Sequence, residues 1–593
     1  MKQPVLYFLM FLLFSVNISF SQRVADSVST GKIIRVIKAD KYNFQDKDTL
    51  GKFISLVGNA EVQQEKILFF GDSIVINQKE NILEAFGNIH INDADSVQVY
   101  SQYLKYLGKE KKSFLQQKVK LTDGKGVLTT NELEYDTQFK IGKYFKGGKV
   151  VNKKTVLTSV EGVYYGDTRD VYFTKNVILI DPQYKITTDS MLYNINTEIT
   201  NIVAPSIITS GKRIIKTKDG YYDVKNKKGS FFQRPFIDDS TYTFTADQMA
   251  FDDSTGYGEA QGNAVYRGKD STGGYDIIAN NIKTNKKKNS FLATQKPILF
   301  LKQDKDTIYI SADTLYAGKV SDLKKTRIVP VVRDTMKIYT GLHDSSTLYA
   351  GKIVDPKKIK TVPVIKDSLK KDTSLQVSSL PKSSLQDSGL HVAKKKMNEP
   401  VDSTTDRFFE AYHHVKIFSD SLQALGDSLF YSLEDSTFRL FRDPVAWTQE
   451  NQITGDTIYM FLENKKPQRL YVFENAMAIS KESKDYFNQV RGTTMNAYFK
   501  NGKIHYMRTK GSPADNVYYA VDDNKKFVGV NRSTSSLIEV YFEDGKPQKV
   551  VFVNNLNGTM YPMRQVNHDD IKVRKFKWLE DKRPKTKLDI LAN

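Results

Sequence analysis

The sequence contains no cysteine, which excludes disulfide bonds, thiol catalysis, cysteine-ligated metals and lipoprotein processing at a cysteine. Only seven histidines occur, and they are scattered apart from the adjacent pair His413 and His414. Neighbours in a strand point to opposite faces, so this pair is poorly placed to share a metal. Motifs of the types HExxH, GxSxG, GxxxxGK[ST] and helix-opening GxGxxG are missing as well. We therefore predict no catalytic residue, no metal site and no cofactor.

Long apolar runs are missing everywhere except near the N-terminus, where residues 5–14 form an apolar core of about ten residues after Lys2. A membrane-spanning helix needs roughly 20 apolar residues, so this run is short for an anchor. Ser19 and Ser21 place small residues at −3 and −1 of a cleavage site. We predict that residues 1–21 are a cleavable signal peptide and that the protein is exported; a retained anchor is the alternative.

Acidic residues are fewer than basic ones: the chain has 68 Asp and Glu and 88 Lys and Arg, which gives a formal net charge of +20. Such a surface suits a polyanion, for example a nucleic acid, an anionic membrane or a phosphorylated glycolipid. The basic residues are scattered along the chain, and lysines on exposed strands also prevent edge-to-edge pairing and keep a protein soluble. Charge alone therefore leaves these interpretations open.

The sequence instead contains a repeat, in which a small residue precedes Asp or Asn and an apolar residue follows two places on. Its copies are spaced 28 to 33 residues apart. They are centred on Asp72, Gln102, Asn131, Glu161, Asp189, Asp219, Asp247, Asn280, Asp313 and Ser346. Short β-branched and aromatic stretches lie between them, bounded by Gly, Asn, Asp and Lys. This pattern predicts stacked β repeats with two strands each.

The repeated carboxylates allow two interpretations. They could form a line of ligands for calcium or of groups for acid/base chemistry. Asp and Asn at the start of a strand more often bond their own turn backbone, and Gln102 and Glu161 would not preserve a common ligand geometry. We therefore expect the Asp and Asn residues to be structural.

Changes in composition and in the repeat divide the chain after the signal peptide into four segments. Segment 313–335 recurs as 346–368, and residues 369–406 are rich in Ser, Lys and Asp, as expected of a flexible linker. The predicted segments are β repeats in 22–318, a weak duplicated repeat with a linker in 319–407, a second β-repeat segment in 408–565 and a basic tail in 566–593. The tail is expected to be solvated or to dock on an anionic partner.

Residues 245–251, followed by residues 258–265, carry the clearest family pattern: Thr-Ala-Asp-x-Met-x-Phe and then a Gly-Asn-Ala-Val strand. Residues 443–458 carry a later version. These motifs resemble the OstA-like (organic solvent tolerance) family, which includes the periplasmic lipopolysaccharide-transport bridge. The resemblance covers 50–318 and 408–565. It implies an all-β fold, namely an elongated LptA-like repeat β-jellyroll, or β-taco, of two facing antiparallel sheets.

The resemblance also implies a function. A non-enzymatic protein of the periplasm, or peripheral to the outer membrane, would bind lipopolysaccharide or a lipid A-type glycolipid in an apolar β groove during outer-membrane biogenesis. Its partners would be inner- and outer-membrane lipopolysaccharide-transport components, joined by end-to-end β-sheet pairing, or further copies of itself, and not nucleic acid. Two alternatives remain: a closed-core secreted structural or adhesive repeat protein, and a β-helical polysaccharide-active enzyme, which would need an acid/base cluster on one sheet face.

Alternation within the short strands predicts which side chains would face the groove, because residues two apart share a face. Stacked at roughly 4.8 Å per strand, they would form one apolar strip. The candidates are Ile89, Ile91, Val119, Leu121, Val177, Leu179, Val265, Ile298 and Phe300.

The first testable prediction concerns export. We expect the mature chain to begin at or near Gln22, because the apolar core before it is too short to remain as an anchor. N-terminal sequencing of the protein released with the periplasmic contents checks this. An uncleaved chain that needs detergent for extraction would contradict it.

Overall fold

The computed structural model describes most of the chain and shows it to be built almost entirely from β-strands. The described residues are 33–47, 51–94, 96–269, 274–302, 307–327, 405–463 and 466–591. The predicted all-β class is confirmed. The signal peptide 1–21, the copy 346–368 and nearly all of 369–406 lie outside these residues.

The first part of the chain folds into long strands joined by tight turns. They are β1 (Arg35–Lys38), β2 (Lys41–Lys47), β3 (Gly51–Gln64), β4 (Ile67–Asn77), β5 (Ile82–Asp93), β6 (Val97–Leu107), β7 (Lys112–Thr122), β8 (Gly126–Asp136), β9 (Ile141–Tyr144), β10 (Gly148–Asn152), β11 (Thr155–Ser159), β12 (Glu161–Tyr165), β13 (Asp170–Ile180) and β14 (Lys185–Asn194). The pattern continues with β15 (Ile199–Ile202), β16 (Ser206–Ser210), β17 (Arg213–Thr217), β18 (Asp219–Asp223), β19 (Lys228–Phe232), β20 (Phe236–Asp238), β21 (Tyr242–Thr245), β22 (Gln248–Asp252), β23 (Tyr257–Gly268), β24 (Tyr275–Asn285), β25 (Ser290–Thr294), β26 (Ile298–Lys302), β27 (Thr307–Ser311) and β28 (Thr314–Gly318).

The later part repeats the same design. Its strands are β29 (Phe408–Phe418), β30 (Gln423–Ser432), β31 (Thr437–Phe441), β32 (Val445–Thr448), β33 (Asn451–Thr454), β34 (Thr457–Glu463), β35 (Lys466–Lys481), β36 (Phe487–Lys500), β37 (Lys503–Val521), β38 (Phe527–Glu543), β39 (Lys546–Val553) and β40 (Asn557–Pro562). Helices are short: α1 (Val320–Thr326), α2 (Lys587–Leu591) and single 3-10 turns at Met563–Gln565 and Glu580–Lys582.

The strands pair antiparallel with their neighbours in the chain. Thus β3 pairs with β4, β4 with β5 and β5 with β6. Strands β27 and β28 both pair with β29, so the sheet continues directly from residue 318 to residue 408. The described residues from 33 to 319 and from 407 to 591 form one compact unit, to which α1 does not belong.

The long strands bend near their midpoints, where every second strand carries a β-bulge. Between β3 and β4, Gly58 and Asn59 oppose the single residue Asp72, because Val57 pairs with Ser73 and Ala60 with Gly71. Two residues facing one is the definition of a bulge, and it bends the strand. Residues with positive φ mark the same pair in other strands: Gly87 and Asn88, Gln117 and Lys118, Lys175 and Asn176, Gln233 and Arg234, Gly262 and Asn263, Gln295 and Lys296, His413 and His414, Arg442 and Asp443, and Glu474 and Asn475.

We call this row of stacked bulges the crease. It divides every long strand into two half-strands, so each strand contributes to both sides of the folded sheet. The repeated Asp and Asn residues lie at the crease: Asp72 and Asp189 are inside β4 and β14, whereas Asp219 begins β18 and Asp247 directly precedes β22. One set of turns, which includes 78–81, 108–111 and 137–140, ends the half-strands on one side. The other set, which includes 65–66, 123–125 and 153–154, ends them on the other.

The repeated carboxylates hold the crease together. Asn88 Nδ2 donates to Asp72 Oδ2 at 3.0 Å, and Asn263 Nδ2 donates to Asp247 Oδ2 at 2.9 Å. The same bond joins Asn59 to Asp40 and Asn475 to Asp456. We expected the repeated carboxylates to bond their own turn backbone, whereas Asp72 and Asp247 bond these side chains instead. They accept bonds from bulge residues of the next strand, because the bend brings the two side chains together on its outer surface.

The basic tail packs against the sheet. Ile571 and Val573 are buried, and the ring centroids of Phe487 and Trp578 are 5.3 Å apart. Ile590 in α2 is fully buried, and α2 contacts β27 and β29. Residues 566–591, which we call the C-terminal segment, thus run back over one face of the later strands. The apolar residues among its lysines make this possible.

Three buried glutamines fix the C-terminal segment. Gln489 Oε1 accepts from the backbone N–H of Val573 at 2.9 Å. The Gln452 amide donates to one backbone carbonyl of the segment at 2.8 Å and accepts from one N–H at 2.7 Å. Gln423 Oε1 accepts from Arg583 Nε at 3.0 Å and from its NH2 nitrogen at 2.7 Å. A side-chain amide offers both a donor and an acceptor, so it replaces a missing strand partner.

The crease can be tested at its glycines. Gly87 has φ of +72°, and a Cβ there would lie 2.3 Å from Asp72 Oδ2. Gly124, in a turn, has φ of +83° and no atom within 4 Å of such a Cβ. We expect Gly124→Ala to cost about 1 kcal/mol through backbone strain alone, and Gly87→Ala to cost about 2–3 kcal/mol.

Urea unfolding of the two variants measures the difference. Gly124→Ala is the matched control, since both substitutions place an L-residue at positive φ. Equal midpoints for the two variants would show that contact with Asp72 does not hold the crease.

Candidate functional site

The face of the sheet that carries the predicted strip is a continuous buried cluster. Six of the predicted residues lie in it: Ile89, Ile91, Val119, Leu121, Val177 and Leu179, each at most 2% exposed. The cluster extends along the repeats from Ile34 to Val540. The structure therefore brings these six side chains into one apolar interior.

Val265, Ile298 and Phe300 do not lie in this interior, and their predicted placement was wrong. Val265 is half-buried on the outer face, where its pairing partner Ile278 is exposed. Ile298 is only 8% exposed, but it pairs with the same exposed Ile278 and is not part of the cluster. Phe300 lies on the same face as Ile298, and its ring centroid is 5.4 Å from that of Tyr309. Their neighbours Ala264 and Leu299 point inwards instead.

The bulge explains the error. The first and third residues after each bulge pair face the interior, as Ile89 and Ile91 do after Asn88. After Asn263 the first such residue is Ala264, and after Lys296 the third is Leu299. A slip of one residue turns a side chain to the other face of a strand. Hydrophobicity alone favoured the wrong neighbour, whereas counting from the bulge gives the right one.

Five tyrosines line the interior where the two sets of turns approach each other. They are Tyr106, Tyr135, Tyr164, Tyr193 and Tyr222, spaced 29 residues apart, and we call them the tyrosine row. All five are at least nine-tenths buried. The sequence analysis missed them, although their constant spacing was visible in the sequence.

Members of the tyrosine row bond to groups from the opposite set of turns. Tyr135 Oη donates to Asp93 Oδ2 at 2.6 Å, and Tyr164 Oη donates to Asp123 Oδ2 at 3.3 Å. Asn152 Nδ2 donates to the Tyr193 hydroxyl at 3.0 Å. Burial raises the pKa of both Asp93 and Tyr135 above their ordinary values, because each would have to ionise away from water.

Charged and polar side chains join the same two sets of turns outside the tyrosine row. Lys111 Nζ lies 2.9 Å from Glu65 Oε1, and Gln64 Nε2 donates to the Gly108 carbonyl at 3.2 Å. Further contacts of this kind join Lys140 to Ser96, Arg169 to Asp123 and Lys153 to Glu198. Partners are about one and a half repeats apart in the chain. We call this line of contacts the seam.

The seam closes the interior over the first repeats. The cavity bounded by Leu121, Tyr164, Val171 and Ile195 has a volume of only about 10 Å³. A single water needs about that much space. An acyl chain therefore has no room inside while the seam is closed.

The described residues hold no group of three or more His, Asp or Glu placed to bind a metal ion. His413 and His414 occupy one bulge, and each lies against a different carboxylate: Asp427 at 3.1 Å and Asp313 at 2.9 Å. They are thus part of the crease. No described helix is long and apolar enough to cross a membrane.

Residues 31–189 match the model of a family described as OstA-like protein. This part of the chain is therefore similar to the OstA-like family. The match covers the first complete hairpins, the first part of the crease and most of the seam contacts named above, and it confirms the predicted resemblance there.

No curated protein matches the chain. Among solved structures, one similar chain is LptH from Pseudomonas aeruginosa, described as the LptA homologous periplasmic component of the lipopolysaccharide transport device. It is 20% identical over 18% of this chain and 79% of its own, with a TM-score of 0.17. A TM-score of that size carries no argument, and the fold rests on the strand pairing described above.

Adjacent residues provide a test of the interior. Ala264→Asp would place a carboxylate in the buried cluster without a partner, and we expect it to destabilise the protein by about 3–5 kcal/mol. Val265→Asp places the same charge on the outer face and should cost about 1 kcal/mol or less.

Chemical denaturation of both variants, followed by tryptophan fluorescence, measures the contrast. Val265→Asp serves as the control for the added charge. A wild-type unfolding midpoint for Ala264→Asp would show that water reaches the interior at this point.

Proposed function

We propose that this protein is a non-enzymatic carrier that holds lipopolysaccharide or a lipid A-type glycolipid in its apolar interior during outer-membrane assembly. It acts in the periplasm or at the periplasmic face of the outer membrane. The observation that carries the proposal is the OstA-like match over 31–189 combined with one apolar cluster that continues far beyond it, to Val540. The family is associated with this transport, and an unbroken apolar path is what an acyl chain requires.

The closed seam sets the energetic condition for this function, because lipid enters only when the seam opens. Lys111 and Glu65 are each about one-third exposed, and such ion pairs contribute about 0–1 kcal/mol. Each acyl methylene transferred from water gains about 0.8 kcal/mol. A chain of roughly ten methylenes thus gains more than the opening of several contacts costs.

The two ends of the sheet offer sites for partners. At one end, Tyr42 and Phe44 of β2 are more than half exposed, and among the described strands β2 pairs only with β3. At the other end, every residue of β40 is exposed. Unpaired strand edges recruit further strands. End-to-end pairing with lipopolysaccharide-transport components, or with a second copy of this chain, is therefore part of the proposal.

A closed-core structural or adhesive protein is the second candidate, and the seam favours it. In that case the tyrosine row and the ion pairs would hold a permanent core, and no lipid would enter. The two candidates differ in one property: whether the seam opens.

Locking the seam tests this directly. The chain has no cysteine, so Glu65→Cys with Lys111→Cys introduces a unique pair that a short bismaleimide can bridge across the seam. Glu132→Cys with Lys146→Cys is the matched control, since that ion pair is also 2.9 Å long but lies at the crease. We expect the bridged seam variant to bind at least tenfold less fluorescent lipopolysaccharide than the bridged control.

The outcome separates the candidates. Equal lipopolysaccharide binding by both bridged variants would show that lipid does not enter through this seam. If the unmodified protein binds no lipopolysaccharide and none co-purifies with it by mass spectrometry, the closed-core candidate is correct.

A further inference from the structure

A second cavity lies farther along the seam. Its lining is charged, whereas the interior is apolar. It has a volume of about 550 Å³ and opens to solvent. Turns from both sets form it, at 210–213 and 239–241 on one side and at 227, 253–256 and 286–287 on the other. Its charged lining consists of Lys212, Arg213, Lys227, Lys286, Lys287, Asp239 and Asp253. We call it the basic pocket.

The pocket has an excess of positive charge. Five cations and two carboxylates line it, a surplus of three positive charges. Arg213 engages both carboxylates: its Nε lies 3.5 Å from Asp239, and its NH1 nitrogen lies 3.8 Å from Asp253.

The lysines are left to attract an anion. Lys287 Nζ donates to the Ser254 carbonyl at 2.6 Å. In the described part of the chain, no carboxylate lies within ion-pair distance of Lys212, Lys227 or Lys286. Cations held together in a concave site repel one another until an anion enters.

The apolar interior is slightly exposed to solvent beside the pocket. Close to it, Tyr222, Ile237 and Phe244 are 8–9% exposed, whereas Ile89 and Ile91 under the closed part of the seam are at most 1% exposed. The ring centroids of Tyr184 and Tyr222 are 4.9 Å apart at this point. An anionic group in the pocket would therefore sit directly above the apolar path.

We propose that the basic pocket binds a phosphate-bearing group with two or more negative charges. The same chemistry is offered by a phosphorylated lipid headgroup and by a free phosphate or pyrophosphate ion. In the lipid form, which rests on the proposed function, the headgroup occupies the pocket and an acyl chain passes between the turns beside Tyr222. The anion site itself depends only on the lysines.

The test uses the full mature chain and two probes: inorganic pyrophosphate in calorimetry, and phosphatidylcholine vesicles with or without bisphosphorylated lipid A in flotation. The pocket variant is Lys212→Gln with Lys227→Gln and Lys286→Gln. The control is Lys143→Gln with Lys149→Gln and Lys154→Gln, three exposed lysines outside the pocket that remove the same charge. Circular dichroism confirms that both variants fold.

We expect the pocket variant to lose at least tenfold in affinity for one or both probes, and the control to stay within about threefold of the wild type. Binding of pyrophosphate alone identifies a free anion as the ligand, and binding of lipid A vesicles alone identifies a headgroup. Equal losses in the two variants, or no binding of either probe by the wild type, would overturn the proposal.

The outcome is independent of the crosslinking test of the seam. Lipopolysaccharide that enters the interior equally well in the pocket variant would leave the carrier function intact and remove the pocket from it. Pyrophosphate binding by a protein that never takes up lipopolysaccharide would retain the anion site and reject the carrier.

Discussion

The structure depends on one backbone constraint, the bulge that places two residues opposite one in every second strand. Because these bulges stack, each antiparallel strand bends at the same point, and a single sheet is folded over its own apolar face. Asn88 and Asp72 show how the sequence supports this: a residue that tolerates positive φ is bonded to a carboxylate of the adjacent strand. Without the crease, the apolar residues of the two half-strands would face solvent.

Folding the sheet creates a second requirement, which is to close the line where its turns meet. The tyrosine row meets it with one side chain type, since a tyrosine offers an apolar ring to the interior and a hydroxyl to the opposite turn. The ion pairs outside it are weaker and more exposed. The closure is thus strong at the tyrosine row, and the contacts of the seam outside it are easily broken. This difference in strength suits a boundary that excludes water when it is closed and can still open.

Much of the fold could be predicted from the sequence, because the repeat reports it directly. The period of about 30 residues predicts the two strands of each repeat. The Gly-Asn and Asp positions mark where the crease lies, but they do not show that it consists of bulges. Six of the nine interior candidates follow from simple alternation. Val265, Ile298 and Phe300 were misplaced because alternation restarts at each bulge, and a bulge is a property of strand pairing. The seam joins groups 44 to 46 residues apart, a separation set by the stagger of the folded sheet.

The C-terminal segment has a consequence for the order in which the molecule assembles. Strand pairs join residues close in sequence, so successive hairpins can form as soon as their residues are available. The contacts of Gln489, Gln452 and Gln423 with the segment span 84, 125 and 160 residues. Closing such long loops is slow and comes late. The face that carries these three glutamines therefore stays uncovered until residues 571–591 are available, and the last part of the chain completes a sheet that is already formed.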